Sequence, residues 1–367
     1  MNNTPLNAII VSRNFNPGHY SHLIANYKLL SECGIDTFMY HHSSFNKMGE
    51  IGRERIFNSY YELKRAGKID VAIFWFPSLK NILDIIFLRF YYGTKVVYVF
   101  HEPLESARAY LVAGFGLLRT ARILLIGRVN YLLVLLSNKI ILPSAKAYST
   151  FETSYSSAHK KYELIPLLFD DEAAHINTVN ERSFISYIGT IAEDHAFDEY
   201  VKFVMQAIVN DWFPQYTFLI ATKSAVPVSQ RSLLSNYVSL GKVIIREGQP
   251  MSNSEINGYY NSSIVVWNAY RRSMQSGVLP KAFMFGTPLI VSSYNSSEFF
   301  ESHQHGVMVG GNYDVDEMKM AVKDVVANFV KYSASCRQKF LSTFCYKAHT
   351  AKFMKFVFDD AELGNKL

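Results

Sequence analysis

The chain has 367 residues, 49% hydrophobic and 19% charged, with a net charge of +6. That is apolar mass enough for two cores, and it excludes a disordered chain and a single small module. Three widely spaced cysteines, Cys33, Cys336 and Cys345, exclude a disulfide framework and a zinc-ligand pattern and fit a reducing compartment.

The basic excess lies in the first half. Residues Met1 to Leu168 carry 19 Lys+Arg against 11 Asp+Glu, and the remainder 18 against 20. A basic half suits an anionic lipid or a lipid-linked phosphate; without a binding motif or a dense Lys/Arg run, nucleic acid is not expected. The opening stretch has no basic region before a long apolar run, so no signal peptide is expected. The 24 Tyr and 27 Phe suit well-filled cores, or ring contacts with sugar or a membrane interface.

In chain order, short apolar runs alternate with helical stretches. Strands are expected at Asn7 to Ser12, Thr37 to Tyr40, Val71 to Phe76, Lys95 to Phe100, Lys139 to Pro143 and Tyr162 to Leu167. A second series follows at Phe184 to Ile188, Tyr216 to Ala221, Lys242 to Arg246, Ile264 to Trp267, Leu289 to Val291 and Val307 to Val309. Continuous Val/Ile/Phe character suits strands buried on both faces of a parallel sheet, and the alternation means an α/β fold. The polar stretch from Phe169 to Ser183 interrupts the pattern. The expected division is a first domain over 1–168, a linker over 169–183, a second domain over 184–345, and a helix over 346–367 returning to the first domain.

Tyr110 to Leu136 is very apolar but is broken by Arg119, Arg122 and Arg128. A spanning helix needs about 20 apolar residues. With the aromatic and basic run Ile82 to Tyr92, this segment reads either as buried core helices or as helices in a membrane interface, their arginines reaching phosphates.

The strongest site signal runs from Gln275 to Ile290. It predicts a loop, a short helix with Pro280 in its first turn, a stop at Gly286-Thr287-Pro288, and a buried strand. Free N–H groups near Ser276, Gly277 and Val278 would form a place for a diphosphate. This segment resembles the donor-nucleotide motif of the family-four retaining glycosyltransferases, a helix ending in Ala-Met-x-x-Gly-x-Pro-Val-Ile. Other segments match in order: Phe184 to Thr190, a strand and its glycine turn; Val243 to Asn261, with Gly248-Gln249-Pro250; Ser262 to Asn268; and Glu298 to Val309. In the first half, Phe100-His101-Glu102-Pro103 resembles the family's His-Asp or His-Glu strand end, and Leu136 to Ser144 with Leu164-Ile165-Pro166 the approach to the linker.

The resemblance implies a GT-B fold, two Rossmann-like domains with parallel sheets facing a central cleft. It implies His101 and Glu102 as catalytic-centre residues. Donor contacts would come from Gly189, Thr190, His195, Gly248, Gln249, Arg271, Gln275, Ser276, Gly277, Val278 and Lys281. An acceptor-side loop would hold Asn16, Gly18 and His19. Two departures stand out. The family's paired glutamates, eight residues apart, are Ser273 and Lys281 here, and its Arg and Lys after the glycine turn are Thr190 and His195. Arg271, Arg272, Lys281 and a protonated His195 could restore positive charge.

Asp314-Val315-Asp316 is expected to cap a helix rather than bind metal, and His303-x-His305 has no carboxylate nearby in sequence. The expected activity is therefore a metal-independent, cofactor-free glycosyltransferase, by resemblance retaining. It would move sugar from a nucleotide-diphosphate donor to a lipid-linked or growing oligosaccharide, for bacterial surface polysaccharide such as O-antigen, capsule or exopolysaccharide. The expected location is cytoplasmic, peripheral at the inner face of the inner membrane and in contact with anionic lipid. A non-catalytic GT-B scaffold and a different GT-B enzyme, an epimerase or an inverting transferase, remain as alternatives. A nicotinamide enzyme would need a dinucleotide fingerprint that the first loop lacks.

Overall fold

The computed structural model describes residues 6–12, 20–41, 51–63, 66–75, 78–100, 106–112, 114–155, 160–249, 251–272, 277–295 and 297–358. The chain divides into two compact units. One comprises Met1–Leu111, Gly116–Asp170 and Thr343–Leu367, the other Val112–Phe115 and Asp171–Ser342.

The first unit carries strands β1 (Asn7–Ser12), β2 (Asp36–His41), β3 (Ile56–Phe57), β4 (Val71–Trp75), β5 (Lys95–Val99), β6 (Lys139–Leu142) and β7 (Lys161–Leu164). They form one seven-stranded sheet in the order β3-β2-β1-β4-β5-β6-β7. Every pairing is parallel. The inner strands are buried almost throughout, as their unbroken apolar runs require. Strand β7 departs from this: Lys161, Tyr162 and Leu164 are exposed because it lies at the sheet edge, with a neighbour on one side only. Helices Leu79–Tyr91 and Leu117–Leu136 pack beside each other. They are joined by Arg89 Nη1 donating to the Leu136 carbonyl at 2.6 Å, and Ile85, Leu88, Leu133 and Val134 enter the core. No helix among the described residues is long and apolar enough to cross a membrane.

The segment from Thr343 onward completes the first unit. Phe169 N–H donates to the Phe344 carbonyl at 2.8 Å, and Tyr346 N–H to the Phe169 carbonyl at 3.0 Å. The Tyr346 hydroxyl donates to Glu32 at 2.7 Å. Helix Thr350–Val357 follows, burying Phe353, Met354 and Val357 along one face at the three- and four-residue spacing of an amphipathic helix.

The second unit carries β8 (Phe184–Ile188), β9 (Thr217–Ala221), β10 (Val243–Arg246), β11 (Ser263–Asn268), β12 (Leu289–Ser292) and β13 (Gly306–Val309). The order is β10-β9-β8-β11-β12-β13, again with all pairings parallel. The direction of strand addition reverses between β8 and β11. In open α/β sheets such a switch point opens a crevice beyond the carboxyl ends of the strands.

Arg182 ties the entry of this unit together. It is 3% exposed. Its guanidinium donates to the carbonyls of Asn177 (3.1 Å), Ser263 (2.7 Å) and Phe285 (2.7 Å) and to Thr287 Oγ1 (2.8 Å). It also lies 4.7 Å above the Phe329 ring. Burial pulls its pKa down to about 10, so it stays charged near neutrality.

Three consecutive acids mark the boundary between the units. Asp170 pairs with Lys28 in the first unit. In the second, Asp171 takes a two-pronged bond from Arg337 at 2.8 and 2.5 Å, and Glu172 pairs with Lys281 at 2.7 Å.

Candidate functional site

Strand β8 ends at Gly189, whose φ of +147° lies where L side chains are strained. A Cβ added there would stand 3.7 Å from Val278 Cγ2 and 3.9 Å from the Tyr270 hydroxyl. The glycine turn after β8, the chain leaving β11 and the start of helix Val278–Met284 thus meet at the switch point. The Thr190 carbonyl accepts from the Tyr187 hydroxyl at 2.8 Å and lies 2.5 Å from His195 Nδ1. The His195 ring is stacked on Tyr270, with centroids 4.3 Å apart and planes 12° apart. Gly189, Thr190, His195, Arg271 and Val278 are therefore gathered around the ends of β8 and β11.

The arginines here already have carboxylate partners. Arg271 Nη2 donates to both oxygens of Asp198 at 2.8 Å and to Glu199 at 3.3 Å, and Nη1 to the Glu193 carbonyl at 2.9 Å. Arg272 Nε donates to the buried Asp194 at 2.7 Å. Burial opposes the charged form of Asp198, but the hydrogen bonds and charge of Arg271 outweigh it and set its pKa below the usual carboxylate value. The contribution of this pair to stability is then fully present above the unfolded-state value of about 4. It is lost as pH falls through the depressed one. Asp198→Asn is expected to lower the melting temperature at neutral pH and to leave it nearly unchanged at low pH, where the parent has already lost the pair. Superimposable melting-temperature–pH curves would count against the pairing.

The motif helix forms as its residues dictate. Gly277 precedes it, all seven residues Val278–Met284 are buried, and the helix ends at Gly286 with φ +58°. The Thr287 N–H returns to the Ala282 carbonyl at 2.8 Å and Pro288 leads into β12. A Cβ on Gly286 would come within 2.6 Å of Ser333 Oγ and 3.1 Å of its carbonyl, so glycine is required by the left-handed turn and by close approach alike.

Lys281 is 7% exposed, and its ammonium bonds Glu172 (2.7 Å), Asn253 Oδ1 (3.2 Å) and Asn257 Oδ1 (2.8 Å). Glu172 Oε2 in turn accepts from Asn253 Nδ2 at 2.5 Å and Asn257 Nδ2 at 2.7 Å. The motif lysine is thus held in a polar cluster with Glu172, Asn253 and Asn257. Its place in the motif did not reveal this, because Glu172 lies 109 positions away in the polar stretch after β7.

Gly248 (φ +78°) and Gln249 are exposed in the loop following β10. His101, Glu102, Asn16, Gly18, His19, Gln275, Ser276 and Ser273 lie outside the described residues. Asp314 accepts from the Glu317 N–H at 2.9 Å as the N-cap of helix Val315–Ala327. Residues not singled out from sequence are Tyr270, Asp194, Asp198, Glu172, Asn253 and Asn257. The acidic run Glu193-Asp194 beside the glycine turn, facing the Arg271-Arg272 pair, is the one signal that could have found some of them.

No family model matches the chain, and no curated protein matches it. Solved structures do. A sucrose-phosphate synthase from Thermosynechococcus elongatus is 16% identical with a TM-score of 0.69, covering 95% of this chain and 97% of that one. A glycosyltransferase from Rickettsia africae is 11% identical with a TM-score of 0.66, covering 98% and 99%. HepE of Anabaena, in complex with UDP-glucose, is 10% identical with a TM-score of 0.67, covering 95% and 98%. The fold shared with these proteins is GT-B, and both parallel sheets fall within it.

Proposed function

We propose that the chain is a glycosyltransferase that takes its sugar from a nucleotide-diphosphate donor. The observation that carries this is the meeting of Gly189, Tyr270 and Val278 at the β8/β11 switch point, in a fold shared with a protein solved with UDP-glucose. The donor diphosphate would lie along the backbone of Gly189, Thr190, Gly277 and Val278, where N–H groups and close approach replace long cationic side chains. The acceptor would be a lipid-linked or growing oligosaccharide of a bacterial surface polysaccharide, reached at the inner face of the membrane, and the anomeric configuration would be retained. The chain's contribution would be positioning and stabilisation of the leaving diphosphate. His101 and Glu102, which follow β5, would stand nearest the reacting carbon.

The test is a thermal-shift panel of nucleoside diphosphates and their sugars. A ligand at a hundred times its Kd raises stability by about 2.7 kcal/mol. One base series should shift the melt, and Gly189→Val should abolish that shift, because valine there meets backbone strain of about 1–3 kcal/mol and fills the space beside Val278. If no nucleotide shifts the parent, or the valine variant shifts equally, the assignment fails. The anomer of the product, read by proton NMR, decides retention.

A second reading, a non-catalytic GT-B scaffold, is favoured by one observation. Arg271, Arg272 and Lys281 are each already paired with carboxylates, while Thr190 and His195 replace the family's cations. Slow donor hydrolysis in the absence of acceptor would decide for the enzyme.

A further inference from the structure

The helix pair Leu79–Tyr91 and Leu117–Leu136 of the first unit buries polar groups beside its core leucines while leaving other large apolar side chains exposed. Asn81 and Asp84 are fully buried, and Thr120 and Asn130 nearly so. The outward faces carry Leu83 (68% exposed), Phe90 (72%), Tyr91 (73%), Leu118 (91%) and Leu125 (67%). On the longer helix Leu118, Leu125 and Leu132 recur every seven residues, which makes one apolar stripe. Exposed leucines are ordinary singly; a continuous apolar strip across two packed helices marks an interaction surface.

The exposed charge on the two helices is of one sign. Lys80, Arg119, Arg122 and Arg128 are exposed, and the only acid on either helix, Asp84, is buried. On the helical wheel Arg122 and Arg128 flank the leucine stripe on opposite sides. Phe87 and Tyr91 stack with centroids 5.3 Å apart, an aromatic end of which Tyr91 carries the polar hydroxyl.

We infer that this face docks on an anionic lipid surface, with the leucines and Phe90 at the acyl boundary and the arginine and lysine heads on the headgroup phosphates. A second copy of the chain fits less well. A two-fold contact would lay each basic rim against its own copy and set like charges together. This inference deepens the reading of a lipid-linked acceptor, but it stands on this surface alone.

The experiment is flotation of the full chain with vesicles of phosphatidylglycerol mixed with phosphatidylcholine, beside vesicles of phosphatidylcholine alone. Recovery is expected on the anionic vesicles and much less on the neutral ones. Each basic residue at an anionic surface is worth about fivefold in partitioning. Arg122→Gln with Arg128→Gln should therefore weaken anionic binding by tenfold or more, and the lysine replacements should keep it. Leu118→Ser with Leu125→Ser should weaken it by a comparable factor. These positions are exposed, so the melt should be unchanged in both variants. Equal recovery on both vesicle types, recovery on neither, or a dimer in light scattering that the serine variant dissolves would each overturn the inference. Nucleotide-induced thermal shifts of the same variants report on the donor site, so failure there is distinguishable from failure here.

Discussion

Replacing Arg182 by leucine is expected to destabilise the second unit by more than about 4 kcal/mol, because several buried acceptors lose their donor at once and each orphaned group costs about 1–3 kcal/mol. The bonds to the carbonyls of Ser263 and Phe285 and to the hydroxyl of Thr287 are buried, and the bond to the carbonyl of Asn177 is partly so. For a unit of this size the loss corresponds to roughly 10 °C in Tm. Arg182→Lys should fall in between, since an ammonium keeps the charge but reaches fewer acceptors and loses the stacking on Phe329. A melt of Arg182→Leu within a degree or two of the parent would contradict this account. The contacts also bear on the site: they fix the turn at Phe285–Thr287, and with it the register of the motif helix against β12.

Lys281→Ala is expected to be the second large loss. It takes from Glu172, whose side chain is 15% exposed, the ammonium of Lys281 and leaves the amide donors of Asn253 and Asn257. Removing one partner of a buried pair costs about 3–5 kcal/mol, and the residual exposure of Glu172 puts this case at the lower end. The double variant Lys281→Met with Glu172→Leu should recover much of the loss, because the burial penalty goes with the pair. Affinity for a nucleoside diphosphate, measured on the folded fraction, should be unchanged in the single variant. A ten- to hundredfold selective loss, as a charge-assisted bond to phosphate would produce, would return Lys281 to the donor site. Additive single and double losses would dissolve the cluster as an energetic unit.

The strands were legible because burial on both faces writes an unbroken apolar run. Phe184–Ile188 and Asn7–Ser12 fall where the sequence places them. Strand β3 was not legible, since two residues, Ile56–Phe57, are too few to carry any period. The helix, glycine stop and strand of the motif were readable from Pro280, Gly286 and Pro288, all of which act locally. The partners of Lys281 and Arg271 were not readable. A lysine in a motif looks the same whether its ammonium meets a ligand or a glutamate brought in from the preceding unit boundary. The apolar run from Tyr110 to Leu136 admits two readings from sequence, and burial divides it: Leu133 and Val134 enter the core while Leu118 and Leu125 are exposed.

The return of residues 343–358 to the first unit sets an order on biosynthesis. Glu32 waits for Tyr346, and the backbone at Phe169 waits for Phe344 and Tyr346. A ribosome must therefore make the whole second unit before the first can close, although the first emerges earlier. Synthesis at about 5–20 residues per second leaves that first unit without its closing segment for some ten seconds or more, with the surface beneath Phe353, Met354 and Val357 bare. The part of the chain made first is thus the last to finish folding, and it is the part a chaperone would be expected to hold.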